Sequence, residues 1–281
     1  PAQQPLGLSA GVKIRSDERR IRKMAVTRAA LFLSLLGAAG ASRLRGNHSN
    51  SQNSSLHFDE AGAQCTCEAA GQGWKKTTRT EPKCIFIDLG AADGNTFSNF
   101  TSNDYGPVKD CPSGGKWEAF LVEANPKFTA ELNALQDNFP GQVHSLAEHA
   151  AFGCEGSTSF YLDKDDTHNN WGSSMDANSP DALKSGQVKV TVPMVNVIKL
   201  IAENVRPDDW VMLKVDIEGA EYSLIPCLAQ FQDAGLVDRM FLEEHWWFKS
   251  ITEEKKSNML SSKKKLQDMH VDIPGYYSPT L

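Results

Sequence analysis

Short apolar runs alternate with segments of helical periodicity from Cys84 onward. Four short apolar runs are typical of buried strands and cover residues 84–89, 119–123, 210–215 and 239–243. A further core strand is expected at 143–149. Apolar residues at helical spacing between them predict helices over 96–103, 126–139, 195–205 and 220–234, with a kink in the last one at Pro226. This alternation predicts an α/β fold: a mostly parallel, twisted sheet with helices on both faces.

Weaker patterns fill the rest of this region. Additional strands are expected at 157–162, 188–192 and 271–277, and loops at 105–115 and 163–179. The charged tail is predicted to be helical from Lys249. We find no internal repeat.

The first eighty residues lack this pattern and predict a different organisation. The first Met is Met24, so residues 1–23 are an uncertain N-terminal extension. An arginine, a short apolar run and a small-x-small site predict a signal peptide over 24–41, with an uncleaved anchor or an organelle-targeting leader as alternatives. The polar residues 42–80 are expected to be a flexible stem. The domain is then 81–281.

Three asparagines lie in glycosylation sequons. Asn47 and Asn53 fall in the predicted stem, where glycosylation is plausible behind a signal peptide. Asn99 lies inside the domain, near a predicted ligand-binding turn, and is the less suitable acceptor.

Composition limits the classes of function. The chain has 281 residues, of which 40% are hydrophobic and 23% charged, so it can bury a sizeable core. The 29 Lys and Arg against 35 Asp and Glu give a net charge of −6, which argues against nucleic-acid binding through overall charge. No apolar run is long enough for a polytopic membrane protein, so an uncleaved N-terminal anchor would be the only membrane contact expected.

A tight, acidic turn follows the first strand. Gly90 and Gly94 permit a sharp turn and a close backbone approach to a ligand. Asp88 and Asp93 would repel a pyrophosphate but suit a cationic ligand. The glycine spacing differs from the dinucleotide fingerprint, which argues against a dinucleotide or nucleotide-sugar enzyme. An ordinary strand-to-helix turn is the alternative.

Acidic residues also follow the second and fourth strands. Glu123 can accept both hydroxyls of a ribose, or stand as a carboxylate at a helix N-terminus. Asp216 and Glu218 stand where a reacting group would sit, and Glu221 could be only a first-turn helix acid. Ligands bind beyond the carboxyl ends of parallel strands, so these positions are expected to border one site.

The fifth strand is followed by a histidine and two tryptophans. His245 is the best single candidate for a general base, because the pKa of histidine lies near working pH. A structural histidine is the alternative. Trp246 and Trp247 either stack on a ring or a sugar, or pack in the core.

These segments together resemble the FkbM family of S-adenosylmethionine-dependent methyltransferases. The motifs that carry the resemblance are FIDLGAADG at 86–94, VEANP at 122–126, AAFG at 150–153 and, most specifically, LKVDIEGAE at 213–221. The resemblance covers about 84–247. It implies a Rossmann-like class I methyltransferase fold and methyl transfer, usually to an oxygen. The loop at 105–116 looks longer than the family pattern needs, and the stem and tail have no counterpart.

The resemblance also implies roles for single residues. Asp88, Gly90 and Gly94 would line the methionine portion of S-adenosylmethionine, and Glu123 the ribose. The Ala150 region would approach the adenine, and Asp216 would face the methyl group. The full set of expected cofactor-binding residues is Asp88, Gly90, Ala91, Asp93, Gly94, Glu123, Ala124, Asn125 and Ala150.

The expected reaction needs a proton acceptor, because a hydroxyl is a poor nucleophile. Asp216 or His245 is predicted to be that base, with Glu218 orienting it. A metal ion is another device for lowering the pKa of a hydroxyl, but the acidic residues near these strand ends have no recognised metal spacing, so no metal ligand is predicted. The acidic run 163–168 lacks the glycine and terminal glutamate of an EF-hand, and a solvated loop or lid is expected there.

The six cysteines fit an oxidising compartment. Cys84 and Cys111 precede two strands that should be neighbours, which predicts a disulfide between them. Pairing of the others stays open among Cys65, Cys67, Cys154 and Cys227. Reduced thiols are the alternative if the leader is not secretory.

The sequence therefore predicts an S-adenosylmethionine-dependent O-methyltransferase of the secretory pathway, lumenal or secreted, with an organelle-targeted enzyme as the alternative. Its acceptor is expected to be a hydroxyl of a glycan or another small molecule. The rival hypothesis is a non-catalytic methyltransferase-like module that binds a glycan or a protein. The intact acidic and glycine positions argue against that rival.

Overall fold

The computed structural model describes Cys67, residues 73–105, Cys111 and residues 117–275. The predicted N-terminal extension, the signal segment and most of the stem lie outside these residues, as do the sequons at Asn47 and Asn53 and most of the 105–115 loop. Within the described part, no helix combines the length and apolar character needed to cross a membrane.

Eight strands are formed by the described residues. They are β1 (Cys84–Leu89), β2 (Trp117–Glu123), β3 (Val143–Ala147), β4 (Ala150–Phe152), β5 (Gly156–Tyr161), β6 (Lys189–Asn196), β7 (Trp210–Val215) and β8 (Arg239–Leu242). Five of them form a central sheet in the order β3-β2-β1-β7-β8, and every neighbouring pair in it is parallel. The predicted α/β fold with a mostly parallel sheet is confirmed.

Six α-helices accompany the strands. They are α1 (Asn95–Thr101), α2 (Thr129–Asn138), α3 (Pro180–Lys184), α4 (Val197–Asn204), α5 (Glu221–Leu228) and α6 (Glu253–Asp268). Local signals fix several of their starts. The Asn196 side chain accepts hydrogen bonds from the first N–H groups of α4, and Thr252 does the same for α6.

Helices pack on both faces of the central sheet. Successive side chains of a strand point to opposite faces. On one face Ile87 of β1 packs in a cluster with Ile201 of α4. On the other face Phe86 packs with Phe97 of α1 and Leu132 of α2. The two apolar clusters explain why β1 is buried along its whole length.

A smaller sheet lies beside the central one, in the order β4-β6-β5. Its β4 is parallel to β6, and its β5 is antiparallel. The strand predicted over 143–149 is therefore wrong at its end: β3 stops at Ala147, Glu148 takes a left-handed backbone with φ +59°, and β4 starts at Ala150 in the second sheet. Because of this turn, β3 belongs to the central sheet and β4, three residues later, belongs to the smaller sheet.

The central sheet reverses its strand order at β1. The chain builds β2 and β3 on one side of β1 and later places β7 and β8 on the other. Leu89 pairs with both Val122 and Val215, so the carboxyl ends of three strands lie side by side. In open α/β sheets this is where ligands bind.

Two predicted elements near the end of the chain are wrong in extent. The helix predicted over 220–234 contains Pro226 and ends at Leu228, where i to i−3 hydrogen bonds from Gln230 and Phe231 replace the α-helical pattern, and a 3-10 turn follows at Gln232–Leu236. Of the strand predicted over 271–277, residues 271–275 are described, and they form one bridge, between Arg239 and Asp272.

Disulfides tie distant segments together. The predicted bridge between Cys84 and Cys111 is confirmed, with the Cα atoms 5.3 Å apart. Cys67 pairs with Cys227 of α5 at a Cα–Cα distance of 5.6 Å, which resolves one pairing that the sequence left open. Cys154 is also disulfide-bonded.

Candidate active site

A cavity opens beyond the carboxyl ends of β1, β2 and β7. Together with its open mouth it has a volume of about 1140 Å³. Gly90, Glu123 and Asp216 line it from the three strand ends, and Phe160 lines it from the smaller sheet. Ligands of open α/β sheets bind in concave spaces at this edge of the sheet.

The turn after β1 passes very close to the strand end of β7. Gly90 has φ +80°, and a Cβ atom there would lie 1.8 Å from the carbonyl oxygen of Asp216. Its N–H donates to the carbonyl oxygen of Val122 at 3.0 Å. Glycine at this position therefore lets the turn approach both neighbouring strands. The sequence predicted a sharp turn here, and the structure has one.

Two charged side chains lie inside otherwise apolar central strands. Asp88 and Lys214 are register partners across β1 and β7, and both are buried. The Lys214 Nζ lies 3.5 Å from Asp88 and 3.2 Å from Asp216, and it donates to the carbonyl oxygen of Gly90 at 2.9 Å. The Asp88 carboxylate itself accepts no hydrogen bond from the described residues.

The charges of this pair follow from their surroundings. Burial raises the pKa of Asp88 to about 7, although Lys214 opposes the shift. Burial lowers the pKa of Lys214, but the carboxylates of Asp216 and Asp88 outweigh it and leave that pKa above its usual value. Lys214 is therefore a buried cation at neutral pH, and it is one of the residues that line the cavity.

Glu123 organises the end of β2. One of its carboxylate oxygens accepts from the N–H of Ala92 at 2.9 Å, and the other accepts from the N–H of Asn125 at 2.6 Å. Burial raises the pKa of this carboxyl. Each carboxylate oxygen has two lone pairs, so each can accept a further hydrogen bond from a ligand in the cavity.

The loop at 163–179 forms one wall of the cavity. Asn170, Trp171 and Ser173 line the space. The Ser173 hydroxyl accepts from Asn125 Nδ2 and from the N–H of Asp163, both at 3.0 Å. The expectation of a solvated loop over 163–168 is wrong for Asp163, whose side chain is fully buried because it caps turns of this wall.

Three predicted catalytic residues come together at the ends of β7 and β8. The Nε2 of His245 lies 3.3 Å from Glu218 Oε1 and 3.9 Å from Asp216 Oδ1. On the opposite side of the ring, Nδ1 lies 3.1 Å from Glu221 Oε1. Asp216 and Glu218 line the cavity, whereas His245 lies behind them, 3% exposed.

The ionisation of this cluster is set by its carboxylates. Burial lowers the pKa of His245, but hydrogen bonds with Glu218 and Glu221 outweigh burial and raise it well above the usual range. Burial raises the pKa of Glu218. Without a cation in the cluster, the imidazole ring therefore carries a proton at neutral pH.

The tryptophans after His245 are outside the core. Trp246 is 60% exposed and Trp247 is 49% exposed, with their rings perpendicular and 5.7 Å apart. Trp247 also lies 5.1 Å from the His245 ring. Of the two interpretations open from the sequence, packing in the core is wrong, because both rings are exposed and only Trp247 contacts the His245 ring.

Comparison with protein-family models matches residues 88–267 to the methyltransferase FkbM domain. The match covers more than half of the chain and spans the whole cavity. The chain belongs to the FkbM methyltransferase family. Comparisons with curated proteins and with solved structures found no match. The parallel sheet is thus the Rossmann-like core of a methyltransferase fold.

Of the nine expected cofactor-binding residues, some line the cavity and others do not. Those that line the cavity are Gly90, Glu123, Ala124, Asn125 and Ala150. Those that support it without lining it are Asp88, Ala91, Asp93 and Gly94. Asp93 accepts from Asn169 Nδ2 at 3.0 Å, and so links the turn after β1 to the loop wall.

Several site residues of the FkbM domain were not assigned a role from sequence. Lys214 lies in the LKVDIEGAE motif at 213–221. A lysine within an otherwise apolar strand was a sequence signal for a buried charge at this site. Glu221 was weighed only as a helix acid, yet it is completely buried and holds His245. Asn170 and Trp171 lie in a polar loop with no local pattern that could have indicated them.

Proposed function

We propose that this protein is an S-adenosylmethionine-dependent O-methyltransferase that acts on a hydroxyl of a glycan or another small hydroxylated acceptor in the secretory pathway. The observation that carries the proposal is the cavity at the strand-order reversal. There Gly90, Glu123 and Asp216 meet at the ends of three neighbouring strands of an FkbM domain.

The residues present fit S-adenosylmethionine. Gly90 keeps the floor of the cavity free of a side chain, and Glu123 offers carboxylate lone pairs to ribose hydroxyls. The carboxyl groups of Asp216, Glu218 and Glu243 give the wall an acidic character that suits a cationic ligand. Bound there, the cofactor would supply an electrophilic methyl group on a sulfonium.

The chain's own residues would orient and deprotonate the acceptor. Asp216 lines the cavity and is our candidate to take the hydroxyl proton at Oδ1. Lys214 holds the other oxygen of that carboxylate at 3.2 Å, so the carboxylate is fixed in position. Glu218 and His245 border the same place and keep it polar. Positioning of this kind is a large part of what a transferase must supply.

The exposed aromatic surface supports a glycan or ring-shaped acceptor. Trp246 and Trp247 are 60% and 49% exposed, and Trp247 contacts the His245 ring. Aromatic faces pack against the apolar faces of sugars and rings, while their edges keep polar partners. The secretory pathway is supported by the sequence of residues 24–41 and by the disulfides that link Cys67 to Cys227 and Cys84 to Cys111.

Calorimetric titration of the full-length chain with S-adenosylmethionine tests the cofactor part of the proposal. We expect micromolar binding, weakened at least tenfold in Glu123→Gln, because the amide replaces one of the two acceptor oxygens at the end of β2. The matched control is Glu131→Gln, which changes an exposed acid on α2 and should bind like the unmodified protein. Well-folded protein without binding would favour the non-catalytic binding module instead.

A further inference from the structure

Three potential metal ligands converge at the inner end of the cavity. One donor atom each from Asp216, Glu218 and His245 lie within 4.8 Å of one another. Atoms bound to one ion at about 2.1 Å lie at most about 4.2 Å apart. The two measured distances from His245 Nε2, 3.3 Å to Glu218 and 3.9 Å to Asp216, meet this limit. The sequence spacing gave no metal pattern, because the ligands come from two separate strand ends.

His245 is held in the way that metal-bound histidines are held. A ligating histidine usually gives its second ring nitrogen to a carboxylate, which fixes the orientation of the ring. Here Glu221 Oε1 accepts from the backbone N–H of His245 at 2.9 Å and lies 3.1 Å from Nδ1. Glu221 is itself fixed by the N–H of Gly219 at 2.8 Å. The ring is thereby fixed with Nε2 directed at Asp216 and Glu218.

Asp216 presents one oxygen to this place and the other to a cation of the protein. Its Oδ2 lies 3.2 Å from Lys214 Nζ, whereas its Oδ1 faces His245. Asp216 and Glu218 both present a carboxylate to His245 Nε2, and close carboxylates in a partly buried place repel one another. A divalent cation between Asp216 and Glu218 would relieve that repulsion.

A second histidine-acid group in the described part of the chain lies elsewhere. His168 lies among Asp163 and Asp181, and its donor atoms are equally close. Each group has a lysine beside one of its acids, so the lysines do not distinguish them. What distinguishes them is position: the His168 group lies outside the cavity lining, so an ion there would face no substrate.

We propose that Asp216, Glu218 and His245 bind one divalent cation whose open coordination positions face the cavity. Two carboxylate oxygens and one imidazole nitrogen suit ions of the Mn²⁺ type, which accept both kinds of ligand. With the cation bound, Asp216 Oδ1 would act as a ligand and not as the base. The cation would bind the acceptor hydroxyl and lower its pKa, so that the hydroxyl gives its proton to a water molecule as its oxygen takes the methyl group. That role rests on the proposed function, whereas cation binding does not.

Titration of the full-length chain with Mn²⁺, followed by electron paramagnetic resonance of the free ion, tests the proposal. We expect one bound Mn²⁺ per chain. Glu218→Gln should weaken binding at least tenfold, because it removes one charged ligand while keeping the side-chain shape. Asp181→Asn, in the other group, should bind Mn²⁺ like the unmodified protein.

A measurement on the unmodified protein keeps the test independent of folding in the variants. Pulsed resonance of bound Mn²⁺ should show coupling to an imidazole nitrogen. Absence of binding at millimolar Mn²⁺, or binding that is lost in Asp181→Asn and kept in Glu218→Gln, would overturn the proposal. Because no S-adenosylmethionine is present, a failure here is separate from failure of the calorimetric test. If both sites exist, removal of the cation should slow methyl transfer and leave cofactor affinity unchanged.

Discussion

At the scale of single residues, the site depends on charged groups placed where a parallel strand is ordinarily apolar. Asp88 and Lys214 face each other across β1 and β7, and neither is accessible to solvent. Removing ionised groups from water is costly unless they are paired. The buried pair is stabilised here because Lys214 also forms an ion pair with Asp216 and donates a hydrogen bond to the carbonyl oxygen of Gly90. One buried cation thus connects the turn after β1 with the catalytic end of β7.

Asp88 should make folding stability depend on pH. Its folded pKa is about 7, above the value of an unfolded chain, so the unfolded state loses the proton first. The contribution of Asp88 to the free energy of unfolding therefore falls as pH rises from about 4 to about 7. Asp88→Asn removes this titration. The free energy of unfolding of the variant relative to the unmodified protein should rise across that window by about 2–4 kcal/mol. Urea unfolding at several pH values measures it, and a flat difference would refute the assignment.

Gly90 should tolerate no side chain. In Gly90→Ala the new Cβ meets the backbone oxygen of Asp216, and the backbone also has a left-handed φ. Gly141→Ala is the matched control, because Gly141 has φ +72° and no atom within 4 Å of a Cβ. We expect the control to lose about 1 kcal/mol of unfolding free energy, and Gly90→Ala about 2–3 kcal/mol more. Equal losses in denaturant unfolding would show that the clash is relieved cheaply.

At the scale of elements, the loop at 163–179 completes a cavity that the central sheet only begins. It contributes no strand to the central sheet, yet it lines the cavity and contacts the turns after β1 and β2. The hydrogen bonds that tie it to those turns join Asn125 to Ser173 and Asn169 to Asp93, which are far apart in sequence. That is why the sequence indicated a polar loop but not its place in the site.

Ser173→Ala should loosen this wall. The Ser173 hydroxyl accepts from Asn125 and Asp163 and donates to the carbonyl of Asn170, all within the buried part of the loop. Its loss leaves a buried amide without its partner, so we expect a loss of about 1–3 kcal/mol in unfolding free energy. Ser261→Ala on the exposed face of α6 should stay within about 0.5 kcal/mol. Similar values for the two variants in urea unfolding would contradict the role of Ser173.

The elements themselves were predictable where the signal is local. The five strands of the central sheet and the helices packed on it follow apolar periodicity, and the structure has them within a few residues. The errors lie at ends. The helix that periodicity extended to 234 ends at Leu228 in i to i−3 hydrogen bonds, and the left-handed Glu148 splits one predicted strand between two sheets. Such ends are decided by backbone hydrogen bonding in the folded chain.

At the scale of the whole molecule, the disulfides Cys67–Cys227 and Cys84–Cys111 close loops of very different length. Cys67 and Cys227 are 160 residues apart, and Cys84 and Cys111 are 27 apart. A cross-link lowers the conformational entropy of the unfolded chain more when its loop is longer. The longer bridge joins Cys67 to α5, the helix that carries Glu221.

Removal of the longer bridge should therefore cost more. We expect Cys67→Ala/Cys227→Ala to lose about 1.5 kcal/mol more unfolding free energy than Cys84→Ala/Cys111→Ala. The comparison is matched, since Cys84 and Cys227 are both fully buried. Denaturant unfolding of the two double variants measures the difference. The reverse order would show that packing at Cys84 outweighs loop entropy.

The sequence by itself determined the fold class, the family and the acidic and glycine-rich turns, because each is carried by residues close together in the chain. It also determined the bridge between Cys84 and Cys111, since both precede strands that the pattern makes neighbours. Only the tertiary structure decided that Lys214 neutralises Asp88, and that Glu221 fixes His245 against Asp216. These contacts depend on the register between strands and on the path of long loops. Both are set by packing between residues far apart in sequence, which local periodicity does not encode.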